Sequence, residues 1–177
     1  MIRLAIALCV AIVSPVAGQV PEPDTFRGEP YLAAVPDSLS GAQVIGAEEA
    51  LVLWNDGAGF VDVYPRTVKP DGLPEGTIWK EPRHDTIPGA VWLWNTGYEK
   101  LTPAEAQRLA DGLADLTRDD PDRALVIFCR ADCWMSWNAA KRAVELGYQR
   151  VNWFPGGIDD WQANLGPDLV RAEPAVP

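Results

Sequence analysis

The stretch VIFCRADCWMSW, Val126 to Trp137, ends an apolar run on Cys129 and places Cys133 four residues later. Two thiols in one tight connection permit two kinds of chemistry. One thiol is a nucleophile and the other its resolving partner, or the two form a disulfide staple. Other uses of cysteine fit poorly. The spacing is CxxxC rather than the CxxC of thioredoxin-like motifs, and there is no CxxCH for covalent haem attachment. The chain has a single histidine, His84. With two cysteines beside it, a closed Cys/His zinc site cannot be completed, and no metal is expected.

The surrounding elements argue for reactivity. ALVIF (124–128) is an unbroken apolar run of the length expected for a central parallel strand buried on both faces. MSWNAAKRAVEL (135–146) has the composition of a helix, stopped by Gly147. A strand-to-helix turn gathers backbone N–H groups around its first residue, and the helix adds its positive N-terminal end. A sulfur there is better stabilised as thiolate, the reactive form. Cys129 is therefore the expected nucleophile, Arg130 adds positive charge, and Cys133 is the expected resolving partner. The ring that the two would close is short, so its entropic contribution to stability should be modest. Such a bond is expected to be strained and labile, which favours redox chemistry over a staple without removing the staple reading.

The elements that must hold this turn alternate along the chain. AQVIG (42–46) reads as a short strand, AEEALVLWND (47–56) as a helix with Gly57 as its stop, and GFVDVYP (59–65) as a strand closed by Pro65. A long Pro/Gly-rich loop, 66–86, leads to a short strand within IPGAVWLWN (87–95). TPAEAQRLADGLADL (102–116) opens with a capping box, Thr102 with Glu105, and Pro103 at the first helical position. Its expected buried stripe is Ala106, Leu109, Ala110, Leu113 and Leu116. RVNWF (150–154) is a further strand and PGGIDDWQANLGP (155–167) turns into a last helix. Alternation of this kind predicts an α/β domain with a mainly parallel sheet flanked by helices. Sites in such sheets form at the carboxyl ends of the strands, where Cys129 stands.

Residues near that edge carry further expectations. Asp62 should stabilise a turn, with Arg66, Arg83 or Arg130 as candidate partners. His84, in the long loop, should lie at the surface. Gly156 and Gly157 should serve backbone geometry beside the site. Eight tryptophans are many for 177 residues. Most are expected in the core, with Trp79, Trp134 and Trp137 as candidates to wall a flat apolar ligand.

At 47% hydrophobic and 23% charged residues the chain is globular, of one-domain length. A net charge of -10 argues against nucleic acid and anionic membrane surfaces as partners. The N-terminus reads as a secretory leader: Arg3, a short apolar run from Leu4 to Val13, and small residues up to Gly18. The run is too short to span a bilayer. The expected organisation is a cleaved leader over 1–18, an extended arm over 19–41 that lies on the domain, the α/β domain over 42–167 and a tail over 168–177. Cleavage would remove Cys9 and leave Cys129 and Cys133 in an oxidising compartment, the periplasm, where disulfides persist.

VIFCR before a helix, VNWFPGGIDDWQANLGP after it, and FVDV and IPGA upstream together resemble the rhodanese-like family, over about residues 42–167. The resemblance implies a rhodanese fold and a cysteine that accepts sulfane sulfur as a persulfide. By that match Cys129 is the sulfur-accepting position, and Arg130, Ala131, Asp132, Trp134 and Met135 form the substrate-binding loop. Two positions depart from the family pattern. Asp132 stands where glycine is common and Trp134 where an anion-binding arginine is common, which disfavours thiosulfate. Met135 occupies the place of the arginine that a related phosphatase pattern requires. The run CRADCW, with a leader before it, resembles a narrower group of periplasmic CxxxCW proteins associated with PQQ-dependent alcohol catabolism. That likeness implies a redox or redox-cofactor-binding role, with a periplasmic dehydrogenase system or a thiol acceptor as partner. No residue pattern in the chain itself marks a cofactor. The competing expectation is a non-catalytic binding module whose cysteines form a structural disulfide.

Overall fold

The computed structural model describes residues 20–164 and 166–175. The expected leader, and Cys9 within it, lie outside the described residues.

The chain runs β1 (Gln43–Val44), α1 (Ala47–Asn55), β2 (Gly59–Asp62), β3 (Asp85–Thr86), β4 (Val91–Trp92), α2 (Pro103–Thr117), β5 (Leu125–Phe128), α3 (Trp134–Glu145), β6 (Val151–Phe154), α4 (Gly157–Ala163) and β7 (Val170–Arg171). Five strands form a parallel sheet in the order β1-β6-β5-β2-β4, with β5 at its centre. Neighbouring residues along β5 point to opposite faces and enter two different cores. Leu125 and Ile127 join Val61, Val151 and Trp153 beneath Leu109 and Leu113 of α2 and Trp137 and Ala140 of α3. Val126 and Phe128 join Phe60 and Phe154 against Ala50 of α1 and Trp161 of α4. Both faces are covered, so the central strands need no polar alternation. That is why β5 reads as a continuous apolar run. The architecture is the expected α/β domain, a parallel sheet flanked by four helices.

Local chemistry sets the helix ends. The capping box at Thr102 forms as expected: its hydroxyl accepts the Glu105 N–H at 3.3 Å, and the Glu105 carboxylate accepts the Thr102 N–H at 2.8 Å. The α2 stripe differs at one end. Ala106 is exposed and Arg108 is buried, its guanidinium 3.5 Å above the Trp94 ring. Stacking on an indole lets a cation cover apolar surface that an alanine is too short to reach.

The fold adds one pairing to the expected elements. β3 and β7 pair antiparallel, Asp85 with Arg171 and Thr86 with Val170, joining the loop before IPGA to the C-terminal segment. The N-terminal arm lies on the domain. Backbone groups of Arg27, Tyr31, Ala34 and Ser38 hydrogen-bond to α3, and the Ala33 N–H to the loop before it. α3 is therefore buried on two sides, by the sheet and by the arm, from Trp134 to Ala140. Among the described residues no helix is long and apolar enough to cross a membrane.

Candidate functional site

Three central strands end side by side. Asp62 is in register with Phe128, and Phe128 with Phe154. The loops that follow therefore open at one level, bringing together Asp62, Cys129 and the Gly156–Gly157 turn.

Cys129 is the first residue beyond β5 and Cys133 is the N-cap of α3. Between them Asp132 takes a left-handed conformation, φ 53°, that curls the loop back on itself. A non-glycine residue there costs about 1–2 kcal/mol. The Ala33 N–H, donating to the Asp132 carbonyl at 3.0 Å, helps to hold the curl. The result is two free thiols, 1% and 2% exposed, close enough to perturb one another's ionisation.

Their environments differ. Burial pushes the Cys129 thiol well above the ordinary value, and the hydrogen bond to Cys133 and the nearby Asp62 carboxylate push the same way. Cys133 is lowered, chiefly by the hydrogen bond from Cys129, with the N–H groups of Met135 and Ser136 adding to it against burial. The expectation that the helix end would serve Cys129 is therefore corrected. α3 begins at Trp134, one residue earlier than its sequence pattern indicates, so its positive end meets the cap residue, Cys133, whose carbonyl accepts the Ser136 N–H at 3.2 Å. Of the two thiols, Cys133 is the one favoured as thiolate.

The arm covers this sulfur. Leu32 bridges Cys133 antiparallel, the Trp134 N–H donates to the Tyr31 carbonyl at 2.8 Å, and the Trp134 indole donates to the Ala34 carbonyl at 3.1 Å. Of the five expected substrate-binding residues, Arg130 is exposed and Ala131 is half-buried. Asp132 is exposed, whereas Trp134 and Met135 are buried. Trp137 is fully buried and Trp134 lies beneath the arm, so these two do not wall an open cleft.

Asp62 is fully buried and does not pair with Arg66, Arg83 or Arg130. Its Oδ2 accepts the Thr86 hydroxyl at 2.6 Å and lies 2.7 Å from His84 Nε2, while Oδ1 accepts the Tyr64 N–H at 2.8 Å. The three arginines are drawn to exposed carboxylates instead: Arg66 to Glu81, Arg83 to Asp85 and Arg130 to Asp159. His84 is likewise not a surface residue. Its side chain is 9% exposed, stacked on Tyr64 at 4.6 Å and tilted against Trp92 at 4.6 Å. A carboxylate without solvent needs donors, and the β3 segment brings two of them to it. Sequence reasoning missed this cluster. The signal available was His84 and Thr86 two residues apart in an extended segment, which points both side chains the same way.

The glycine pair does serve the site's backbone. Gly157 has φ 52°, and a Cβ there would lie 2.2 Å from the Cys129 carbonyl oxygen. The next residue, Ile158, donates its N–H to that oxygen at 3.0 Å. One residue further, Asp159 Oδ2 accepts the Ala131 N–H at 2.8 Å. A shallow cleft of about 320 Å³ opens beside the loop, lined by Tyr64, Arg83, His84, Arg130, Ile158 and Asp159 among others. Among the described residues no group of three His, Cys, Asp or Glu side chains is placed to hold a metal.

A family model described as the rhodanese-like domain matches residues 49–164. Solved structures similar to the chain include the polysulfide-sulfur transferase homodimer of Wolinella succinogenes, at 18% identity and a TM-score of 0.44, covering 70% of this chain and 75% of that one. A 3-mercaptopyruvate sulfotransferase of Escherichia coli matches at 19% identity and a TM-score of 0.41, over 76% of this chain and 53% of that one. An uncharacterized protein of Saccharomyces cerevisiae matches at 18% identity and a TM-score of 0.37, over 70% of this chain and 93% of that one. No curated relative matches the chain.

Proposed function

This chain belongs to the rhodanese-like family, and on that footing we propose that Cys129 and Cys133 form a reversible thiol pair that handles sulfane sulfur or electrons. The observation that carries the reading is the pair itself: two free, buried thiols at the end of the central strand, close enough to perturb one another's ionisation, one of them at the N-cap position of the following helix.

In the sulfur-handling form Cys133 begins as thiolate and Cys129 as thiol. The Cys129 proton passes to Cys133 as Cys129 attacks the outer sulfur of a donor R–S–SH. The donor S–S bond breaks, R–S⁻ leaves and Cys129 carries the persulfide. The Cys133 thiol then gives its proton to R–S⁻ and attacks the Cys129 sulfur. HS⁻ departs, and the Cys129–Cys133 disulfide remains. Thiolate character at Cys133 supports its service as base first and resolving nucleophile second. An acceptor disulfide would oxidise the same pair and be reduced to two thiols.

The reading extends to location and partners. Arg3, the apolar run to Val13 and the small residues to Gly18 support export to the periplasm through a cleaved leader. CRADCW supports a place beside PQQ-dependent alcohol catabolism, with a periplasmic dehydrogenase system or a thiol acceptor as partner.

The test is mass spectrometry of the reduced protein after exposure to an organic persulfide. The unmodified chain should end as the disulfide. The Cys133→Ser variant should accumulate one added sulfur on Cys129. Neither product at either cysteine would sink the reading.

A further inference from the structure

The mouth of the cysteine loop already holds an anion, and the chain supplies it. A nucleophilic loop receives a charged donor through its backbone N–H groups and through any cation beside them. Here the Ala131 N–H donates to Asp159 Oδ2 at 2.8 Å, and Arg130 Nε lies 3.7 Å from the same oxygen. Both groups that would greet an incoming anion are engaged by one carboxylate.

The backbone that carries Asp159 is fixed against the nucleophile. Gly157 has no room for a Cβ over the Cys129 carbonyl, and Ile158 donates its N–H to it. Asp159 follows within the same turn, so its position is tied to that of Cys129. A second carboxylate, Asp62, is buried on the neighbouring strand close enough to act on the Cys129 charge, and Thr86 and His84 hold it there. A thiosulfate or sulfite ion approaching Cys129 would have to displace Asp159 and would then face Asp62.

Building on the sulfur-handling reading, we propose that Asp159 is a specificity-determining residue, a built-in counter-anion that withholds Ala131 N–H and Arg130 from anionic sulfur donors and leaves the pair to uncharged organic donors: persulfides in the R–S–SH form, disulfides and polysulfides. This adds to the exclusion expected from Asp132 and Trp134. Trp134 has its indole N–H committed to the arm, so it neither supplies nor blocks an anion contact at the mouth.

The experiment compares alkylation of Cys129, read by peptide mass spectrometry of the reduced protein, by iodoacetate and by iodoacetamide, which share a leaving group and differ in charge. Both reagents meet the same opening of the buried thiols, so the ratio of their rates isolates the charge filter. Asp159→Asn keeps an acceptor for the Ala131 N–H and removes the charge, Asp159→Ala removes both, and Asp160→Asn removes a neighbouring charge of the same sign. The expected result is a severalfold rise in the iodoacetate to iodoacetamide ratio for both Asp159 variants, larger for alanine, with Asp160→Asn near the unmodified value. Thiosulfate should slow alkylation saturably in Asp159→Ala and not in the unmodified chain. Asp159 variants that behave like Asp160→Asn, or an unmodified chain that thiosulfate already protects, would overturn the proposal. The ratio reads the filter whatever reaction the pair performs. A shift in the ratio without any persulfide or disulfide would retain the filter and discard the sulfur-handling reading.

Discussion

Asn138→Ala should unlatch the N-terminal arm and expose Cys133. Asn138 is fully buried on α3, one turn beyond the cysteine loop. Its Oδ1 accepts the Arg27 N–H at 2.8 Å, and its Nδ2 donates to the Arg27 carbonyl at 2.8 Å and to the Gly97 carbonyl at 2.9 Å. Two of the three bonds hold the arm. Each is worth about 1 kcal/mol net, because a lifted arm recovers its bonds from water. Losing both should favour the lifted state by about 2 kcal/mol, or roughly 30-fold at 1.4 kcal/mol per tenfold. Alanine's better helix propensity acts on α3 in both states and leaves this difference alone. When closing is fast, labelling follows the open population. Iodoacetamide should therefore modify Cys133 roughly 30-fold faster in the variant, and the amide hydrogens of Arg27, Ala33 and Trp134 should exchange faster by a similar factor, since they lift together. Faster amide exchange with unchanged Cys133 labelling would refute the reasoning: the arm would then be mobile without being what covers the sulfur.

Three further outcomes follow from the same geometry. With Cys133 lowered and Cys129 raised, a neutral alkylating reagent should label Cys133 from below the ordinary thiol range and Cys129 only well above it; peptide mass spectrometry across pH decides, and Cys129 labelling first would reverse the charge assignment. Gly157→Ala should lose about 2–5 kcal/mol in denaturant unfolding, from left-handed strain of about 1–2 kcal/mol and overlap with the Cys129 carbonyl of about 1–3 kcal/mol; a loss under about 1 kcal/mol would mean that the turn relaxes freely. His84→Ala should cost about 1.5–3 kcal/mol, the value of a hydrogen bond to a buried carboxylate, measured by the same unfolding; a change within about 0.5 kcal/mol is what a surface histidine would give.

The sheet was legible because its signals are local. β5 and β6 are apolar runs bounded by turns, and α2 carries its own cap at Thr102. The end of a buried strand is also local, and Cys129 could be placed from Val126–Phe128 alone. What escaped depends on pairing across the chain. Asp62 and His84 are 22 positions apart, joined through a long loop whose only ordered strand is two residues. The arm reads as a polar, proline-rich extension because it docks through backbone groups, which any sequence supplies. Which residue stands at the N-cap of α3 turned on whether the helix starts at residue 134 or 135, finer than periodicity resolves. Asp159 carries no sequence signal of its own. Its role comes from a glycine turn pressed against the Cys129 carbonyl.

The most direct test of a reversible Cys129–Cys133 couple is its reduction potential. The protein is equilibrated in glutathione buffers of graded poise, quenched with an alkylating reagent and weighed intact. The two thiols should disappear together, as the loss of two hydrogens, with a midpoint between about -270 and -120 mV, the span of thiol-disulfide exchange proteins. A disulfide that persists below about -300 mV is a structural staple. That result, or thiols that never couple at any poise, would contradict the account.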